Sequence, residues 1–227
     1  MPVDSITIDR ERERLDMDVP VHMDYNPAVV SVSENRGYLI AKRCFDILMS
    51  LLGSLVLLIP MLLIAVMIKI DSPGPVIFRQ ERLGKDGKPF IMLKFRSMHM
   101  GAEADGPQWA DREDSRCTRF GRFLRACRLD ELPQLWNIFV GDMSFVGPRP
   151  ERAYFYDIFE EYIPEFRSRL LVKPGLTGLA QVNGGYDLKP EEKIVYDMEY
   201  MTNRSIWMDI CCIFKTVRLV FTHTGAR

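Results

Sequence analysis

The stretch ILMSLLGSLVLLIPMLLIAVMI, residues 47–68, decides how this chain is organised. It runs for 22 residues without a charge, and about 20 apolar residues are enough for a helix to cross a bilayer. A buried helix of a soluble domain is rarely apolar on every face. The stretch therefore predicts a helical element inserted in a membrane.

Pro60 lies past the middle of this stretch and predicts a bend, because proline removes a helical hydrogen bond. Three basic residues lie near each end, so the positive-inside rule gives no orientation. The residues leave two arrangements open: a kinked helix that crosses the bilayer, and a re-entrant hairpin with Pro60 at its apex and both ends cytoplasmic. The flanking basic residues are Arg36, Lys42 and Arg43 before the stretch, and Lys69, Arg79 and Arg82 after it.

The rest of the chain is organised around this element. Residues 1–37 are polar and lack periodicity, which predicts a mobile or weakly helical tail. Residues 38–70 form the membrane element, and the two prolines and the glycine of residues 71–75 end it. Residues 71–227 are enough for one domain of ordinary size. The predicted fold class is α+β and mostly helical.

Within this domain, strand-like runs at residues 76–81 and 89–94 surround the turn dipeptide Asp86-Gly87 and predict a β-hairpin. The other predicted elements are helices at 119–127, 132–139, 151–171 with an interruption near Pro164, 189–202 and 205–222. The last helix has an apolar stripe, which we expect to pack on the core; burial in a bilayer interface is the alternative. The stripe consists of Trp207, Ile210, Phe214, Val217 and Phe221.

Composition excludes several classes of protein. A net charge of −1 and a pI near 6.3 argue against a general nucleic-acid binder. Five cysteines without C-x-x-C spacing and three widely separated histidines argue against a zinc site and favour reduced thiols. The first 37 residues are charged, so we expect no cleavable signal peptide.

The adjacent carboxylates Asp130 and Glu131 are the strongest candidates for chemistry. Pro133 suits the first turn of a helix, which places the pair at a helix start with Asp130 as its N-cap. Carboxylates beside a cluster of positive charge are ionised and can hold a divalent cation. Five arginines at three-residue spacing drift by about 60° per step around a helix, so only some of them can face the pair. They are Arg116, Arg119, Arg122, Arg125 and Arg128.

Other polar residues could bind a phosphorylated ligand. Lys94 and Arg96 end the predicted hairpin, and Arg149 is restricted between two prolines. Gln181 and Asn183 lie two apart in a glycine-rich loop and point the same way if that backbone is extended. Each of these residues also has an ordinary structural interpretation, as a cap or a solvated charge. Together they suit chemistry on a phosphate.

Four motifs occur in order along residues 94–184: KFRSM at 94–98, LDELPQLWN at 129–137, GDMSFVGPRP at 141–150 and KPGLTGLAQVNG at 173–184. With them the sequence resembles bacterial monotopic phosphoglycosyl transferases, also called the bacterial sugar transferase family. The resemblance covers residues 38–227. It implies a re-entrant hairpin bent at Pro60 and a small catalytic domain with amphipathic interfacial helices on the cytoplasmic face of the bacterial inner membrane.

The resemblance also implies the reaction. A UDP-sugar gives its sugar 1-phosphate to undecaprenyl phosphate and UMP leaves, as the priming step of exopolysaccharide, capsule or O-antigen synthesis. Asp130 matches the nucleophile that forms a covalent intermediate, and Glu131 matches its acidic partner. Both carboxylates are then expected to bind Mg²⁺. Arg125 matches a position that binds polyprenol phosphate, and Arg149 lies in the Pro-Arg-Pro motif.

The sequence leaves some points open. Many family members have arginine straight after Asn-Gly, where this chain has Gly185, so a phosphate contact at that position is in doubt. The sequence does not fix the sugar or the oligomeric state, and a homodimer stays open. Two other classes compete with the transferase: a membrane-anchored protein that recruits anionic lipid without turnover, and a phosphohydrolase that needs no lipid acceptor.

Overall fold

A computed structural model describes residue 32 and residues 35–103, 114–184 and 188–222. Most of the predicted tail, Gly185 and the side chain of Phe221 lie outside the described residues. The helices are α1 (Arg36–Val56), α2 (Leu58–Asp71), α3 (Arg119–Ala126), α4 (Gln134–Val140), α5 (Ala153–Glu160), α6 (Leu179–Asn183), α7 (Pro190–Asn203) and α8 (Ile206–Thr222). The strands are β1 (Ile77–Leu83), β2 (Pro89–Phe95), β3 (Ser144–Val146) and β4 (Gly175–Thr177), with 3₁₀ turns at Lys85–Gly87, Leu129–Glu131 and Phe166–Leu171.

The apolar stretch forms two helices rather than one. In the described part of the chain no single helix has the length and apolarity to cross a membrane, but α1 and α2 qualify as a pair bent by 61°. The predicted bend is therefore confirmed, but its apex lies at Leu57, three residues before Pro60. A proline ring clashes with the carbonyl four residues earlier, so the helix breaks ahead of the proline and restarts with Pro60 in its first turn.

This bent pair exposes apolar side chains and buries polar ones. Leu55 and Ile70 are 70% and 73% exposed, whereas Asp46 and Ser50 are 2% and 0% exposed. A contiguous apolar surface of this kind marks contact with a membrane or with another protein. The polar side chains face the rest of the protein instead.

Two small sheets support the site. Strands β1 and β2 pair antiparallel from Ile77↔Phe95 to Leu83↔Pro89, which confirms the predicted hairpin. Strands β3 and β4 form a parallel pair that is not among the elements predicted from the sequence. Three-residue strands are too short to show a period of two. The pair also depends on close backbone approach, because a Cβ at Gly175 would lie 2.1 Å from the Gly147 nitrogen.

Three apolar clusters hold these elements together. The largest surrounds Phe159, Phe166 and Met201 and joins α5, the third 3₁₀ turn and α7. A second cluster packs β2 against α4, and a third packs α2 against α3 and the end of β2. The second and third clusters lie behind the segment that contains Asp130 and Glu131.

Helix α8 differs from its prediction. Trp207 and Phe214 are each 73% exposed, so the expectation that this stripe packs on the core is wrong. The opposite face is buried instead, and it contains Asp209 and Cys212. Asp209 accepts hydrogen bonds from three side chains of α1 and α7, and these polar contacts hold that face inward.

Candidate active site

A cavity of about 740 Å³ opens between the β-hairpin, the Asp130-Glu131 segment and the loop that follows β3. Seven of the eight predicted site residues line it. They are Lys94, Arg96, Arg125, Asp130, Glu131, Arg149 and Gln181.

The backbone ahead of the two carboxylates takes an unusual conformation. Arg128 has φ 55°, in the left-handed region that non-glycine residues seldom adopt. This turn starts the 3₁₀ segment Leu129–Glu131, and the N-cap of α4 is Pro133, which makes no side-chain cap. The prediction that Asp130 caps the helix is therefore wrong. The left-handed residue separates α3 from the 3₁₀ segment, so both carboxylates lie in the cavity wall rather than over helix amides.

Glu131 is held by two cations. Its Oε1 accepts a hydrogen bond from Lys94 Nζ at 3.2 Å and another from Arg149 Nη2, and Arg149 Nη1 lies 3.5 Å from Oε2. Burial opposes a charge on this carboxylate, but Arg149 and Lys94 outweigh it and hold the pKa of Glu131 below its usual range. Glu131 is thus a carboxylate that stays ionised and orients two cations.

Asp130 lies beside Glu131 in different surroundings. Among the described residues no hydrogen bond reaches its carboxylate. Burial raises the pKa of Asp130 to about 6; Lys94 counteracts the rise, and the Glu131 charge adds to it. The carboxylate is still mostly ionised at neutral pH. An ionised carboxylate with free lone pairs in a cavity wall can attack a ligand or bind a cation.

Arg149 is positioned from behind by a residue that the sequence analysis missed. Arg169 donates from Nη2 to the Arg149 carbonyl at 2.9 Å and from Nε to Asp197 at 2.7 Å. Arg169 and Asp197 are both buried, and breaking such a pair is strongly destabilising. No local signal identifies Arg169, because its partner Asp197 lies 28 residues away in the chain.

The two cations at the end of β2 have different contacts. Lys94 reaches Glu131, whereas the Arg96 guanidinium donates to the carbonyls of Pro73 and Ser72 at 2.7 Å each. Arg96 therefore fixes the segment after α2 while its side chain forms part of the cavity wall. Its guanidinium is engaged with backbone rather than turned to a ligand.

Only some of the five arginines face the cavity, as predicted, although only Arg119, Arg122 and Arg125 lie in helix α3. Arg116, Arg125 and Arg128 line the cavity, whereas Arg119 and Arg122 are exposed. Arg125 Nη1 lies 3.2 Å from Cys117 Sγ, a weak partner that leaves its charge available to the cavity.

Gln181 and Asn183 do not point the same way. Residues 179–183 form helix α6, and side chains two apart on a helix diverge by about 200°. Gln181 is buried in the cavity wall. Asn183 is on the far side, where its Nδ2 donates to the Leu179 carbonyl and its Oδ1 lies 3.5 Å from Lys215 Nζ. The backbone here is helical, so the condition under which the two side chains would point the same way is not met.

Sequence comparisons identify the family of this chain. The family model of the bacterial sugar transferases matches residues 37–223. The chain belongs to this family. The resemblance seen in the four motifs is thereby confirmed.

Three relatives show how far the similarity extends. A UDP-N-acetylgalactosamine-undecaprenyl-phosphate N-acetylgalactosaminephosphotransferase of Aeromonas hydrophila is 44% identical over 84% of this chain and 46% of its own length. A UDP-glucose:undecaprenyl-phosphate glucose-1-phosphate transferase of Caulobacter vibrioides is 42% identical over 82% and 71%. The exopolysaccharide production protein PSS of Rhizobium leguminosarum is 43% identical over 79% and 94%. The chain thus spans about half of the Aeromonas protein.

The far wall of this bacterial sugar transferase's cavity was also missed by sequence reasoning. Glu103 accepts hydrogen bonds from Gln80 and Arg152, each at 3.0 Å, and Arg82 pairs with Glu151 at 2.9 Å. These residues come from β1 and two loops, so only the folded chain brings them together. The charges of these four ionised side chains balance, and the other described residues that line the cavity give it an excess of positive charge.

The two carboxylates suit Mg²⁺ better than a metal that needs an all-protein cage. Within the described residues no cluster of three or more histidine, cysteine or acidic side chains could hold a metal. Magnesium keeps several waters and is typically bound by one or two carboxylates together with substrate phosphates. Asp130 has lone pairs available, and Glu131 lies next to it, so the donor set fits this ion.

Proposed function

We propose that this bacterial sugar transferase moves a sugar 1-phosphate from a UDP-sugar to undecaprenyl phosphate and releases UMP, as the priming step of exopolysaccharide, capsule or O-antigen synthesis. The names of the Aeromonas and Caulobacter relatives support this reaction class. The observation that carries the proposal is the buried Asp130 carboxylate, which lines a cavity among cations and is engaged by none of their hydrogen bonds.

The transfer takes two displacements at one phosphorus atom. An Asp130 oxygen attacks the sugar-bearing phosphorus, an Asp–O–P bond forms, and the bond to the bridging oxygen breaks so that UMP leaves with the electron pair. An oxygen of undecaprenyl phosphate then attacks the same phosphorus. The bond between that phosphorus and the Asp130 oxygen breaks, its electron pair stays on the oxygen, and the carboxylate is regenerated. Two steps allow one cavity to serve a soluble donor and a lipid acceptor in turn.

The cations of the cavity would stabilise the negative charge that develops on the phosphate oxygens. Lys94 and Arg149 are held beside the carboxylates by Glu131. Arg125 lines the cavity from α3 and is assigned to the acceptor phosphate. Asp130 and Glu131 would bind Mg²⁺, which supplies further charge neutralisation at the phosphates when present.

The bent pair α1–α2 would sit in the bilayer as a re-entrant hairpin, with both ends and the catalytic domain on the cytoplasmic face. Its exposed apolar side chains and inward polar ones support this arrangement. The exposed stripe of α8, with Trp207 and Phe214, would lie in the interface beside it, since aromatic side chains favour that region. The cavity would then open at head-group depth, where the acceptor phosphate lies.

The reaction is tested by incubating the full chain in detergent with Mg²⁺, undecaprenyl phosphate and each UDP-sugar of a panel. UMP release over many turnovers should need both the lipid and the metal, with at most one UMP per enzyme molecule released when the lipid is omitted, and EDTA should abolish it. The relatives' names include glucose and N-acetylgalactosamine, so both belong in the panel. Release of free sugar phosphate without lipid would identify a hydrolase instead, and no turnover of any donor would favour a lipid-recruiting protein.

A second experiment tests the covalent step. A UDP-sugar radiolabelled in the sugar should leave an isolable protein adduct when the lipid acceptor is omitted. Addition of undecaprenyl phosphate should discharge the adduct. A direct transfer would leave no adduct while UMP release stayed normal.

A further inference from the structure

Helix α1 has a polar face that ordinary anchoring in a membrane does not require. Tyr38, Lys42 and Asp46 recur at four-residue spacing, and Arg43 lies three residues before Asp46. Such residues share one side of a helix. Their side chains contact α4, β3 and α8, and neither Arg43 nor Asp46 lines the described cavity.

Arg43 holds the end of helix α4. Its Nη1 and Nη2 donate to the carbonyls of Ile138 and Phe139, each at 2.8 Å. These carbonyls belong to the last turn of α4, where backbone acceptors lack helical partners. Gly141, with φ 103°, ends the helix, and a Cβ there would lie 3.2 Å from Arg43 Nη2. Helix α4 begins at Gln134, three residues after Glu131, so Arg43 fixes the helix that continues from the two carboxylates.

Asp46 holds the start of strand β3. Its Oδ1 accepts hydrogen bonds from Ser144 Oγ and from the Phe145 amide, both at 3.0 Å. The carboxylate is 2% exposed, so these bonds are made away from water, where they count most. Strand β3 leads into the loop that presents Arg149.

The other end of β3 is reached from the same helix. Lys42 and Tyr38 donate to Asp209 Oδ2 at 2.8 and 3.1 Å. The Tyr200 hydroxyl lies 2.7 Å from Asp209 Oδ1 and 3.1 Å from the Val146 carbonyl. Helix α1 therefore contacts β3 directly at its start and through two side chains at its end.

The two segments held by α1 meet again at the front of the site, where Arg149 contacts Glu131. One helix thus fixes from behind the two parts whose relative placement sets the Glu131–Arg149 pair. We infer that Arg43 and Asp46 are positioning residues for the transferase reaction. The inference rests on the proposed function and adds to it: the membrane helix is the template on which the site is assembled, as well as its anchor.

The test compares UMP release by full-length variants in detergent. Asp46→Ala removes both bonds to β3, and displacing a catalytic group by about 1 Å lowers turnover by about a hundredfold. The kcat is expected to fall by that factor while the KM for the UDP-sugar changes little, as for a lost transition-state interaction. Asp46→Asn keeps an oxygen that can accept both bonds and should restore kcat to within about tenfold of wild type.

The matched control is Ser50→Ala, one turn further along α1. Ser50 is buried like Asp46, but among the described residues its hydroxyl donates only to the Ile47 carbonyl of its own helix. Its kcat should equal that of wild type per folded molecule. If Asp46→Ala is no slower than this control, or if Asp46→Asn is as slow as Asp46→Ala, the positioning role is wrong.

Arg43→Lys decides the matter if Asp46→Ala does not fold. Lysine keeps the positive charge but cannot bridge two adjacent carbonyls as a guanidinium does, and about a tenfold loss of kcat is expected from the loosened segment. An unchanged kcat in this variant overturns the inference. Wild-type turnover separates the two proposals: without it the proposed function fails, and with it only the role of α1 is tested.

Discussion

Asp130 and Glu131 are neighbours in the chain, yet they lie in unlike regions of the cavity wall. Glu131 is surrounded by Lys94 and Arg149, which hold its pKa low, whereas burial raises the pKa of Asp130 to about 6. One carboxylate is engaged with protein cations, and the other has lone pairs available. The pair is therefore not symmetric: Glu131 pairs with two cations, and the Asp130 carboxylate has lone pairs directed at the cavity.

Of the substitutions that test this difference between the two carboxylates, Asp130→Asn should have the largest effect on turnover. The amide cannot attack phosphorus, so UMP release is expected to fall by at least about a thousandfold and the labelled adduct to disappear. The melting temperature should stay the same or rise, because an unpaired buried charge is replaced by a neutral group. Asp157→Asn, an exposed carboxylate change, is the control. Full activity of Asp130→Asn would contradict the assignment.

Glu131→Gln should act in the opposite sense on stability. It leaves Lys94 and Arg149 without their counter-charge, and we expect a loss of about 1–3 kcal/mol in the free energy of unfolding. Turnover should fall by about a hundredfold through misplaced cations, but the labelled adduct should still form slowly. The melting temperatures of Glu131→Gln and Asp130→Asn, measured under the same conditions, give the comparison. Equal shifts of the melting temperature in both variants would mean that the two carboxylates are equivalent.

Arg149→Lys should have a smaller effect. Lysine keeps the charge beside Glu131 but loses the planar two-nitrogen contact, so about a tenfold fall in kcat is expected. Arg167→Lys, in an exposed pair with Asp157 and Glu160, serves as the control and should match wild type. A wild-type kcat in Arg149→Lys would show that charge alone matters at this position.

Substitutions at Arg128 are compared by stability rather than by turnover, and they test the turn that places both carboxylates. Glycine adopts φ 55° without strain, so Arg128→Gly should lower the free energy of unfolding only through the lost contacts of the arginine side chain. Arg128→Val puts a β-branched residue in the left-handed region and should cost about 1–3 kcal/mol. Denaturation of the two variants in the same detergent gives the comparison. Equal stability would mean that the turn relaxes.

Patterns of adjacent residues were enough to predict several features. The β-hairpin follows from two strand-like runs around Asp86-Gly87, and both turn residues have positive φ. The bent helix pair follows from the length of the apolar stretch and from Pro60. Helix geometry accounts for the separation of Arg122 from Arg125 on α3, whereas Arg116 and Arg128 lie outside that helix. Each of these depends on interactions within a few residues, which the sequence displays directly.

Other features depend on which segments meet, and there the predictions were incomplete or wrong. The carboxylate segment was predicted to start a helix, but Arg128 turns the chain left-handed first. Gln181 and Asn183 would share one side only on an extended backbone, and the sequence did not reveal that α6 is helical and directs them apart. The α8 stripe was expected in the core, but the opposite face of α8 is buried. Asp209 on that opposite face contacts Tyr38 and Lys42, which lie more than 160 residues away in the chain.

The amino-acid sequence by itself determined the family, through the resemblance of four motifs, and the apolar bent helix pair, through composition and short-range spacing. It also singled out Asp130 and Glu131 as candidates for chemistry. Only the tertiary structure decided which carboxylate is held by Lys94 and Arg149. It also decided that Arg169 supports Arg149 from behind and that the polar face of α1 supports both halves of the site. Pairings of buried charge such as Arg169 with Asp197 have no local signature, since desolvation and partner distance exist only once the chain has folded.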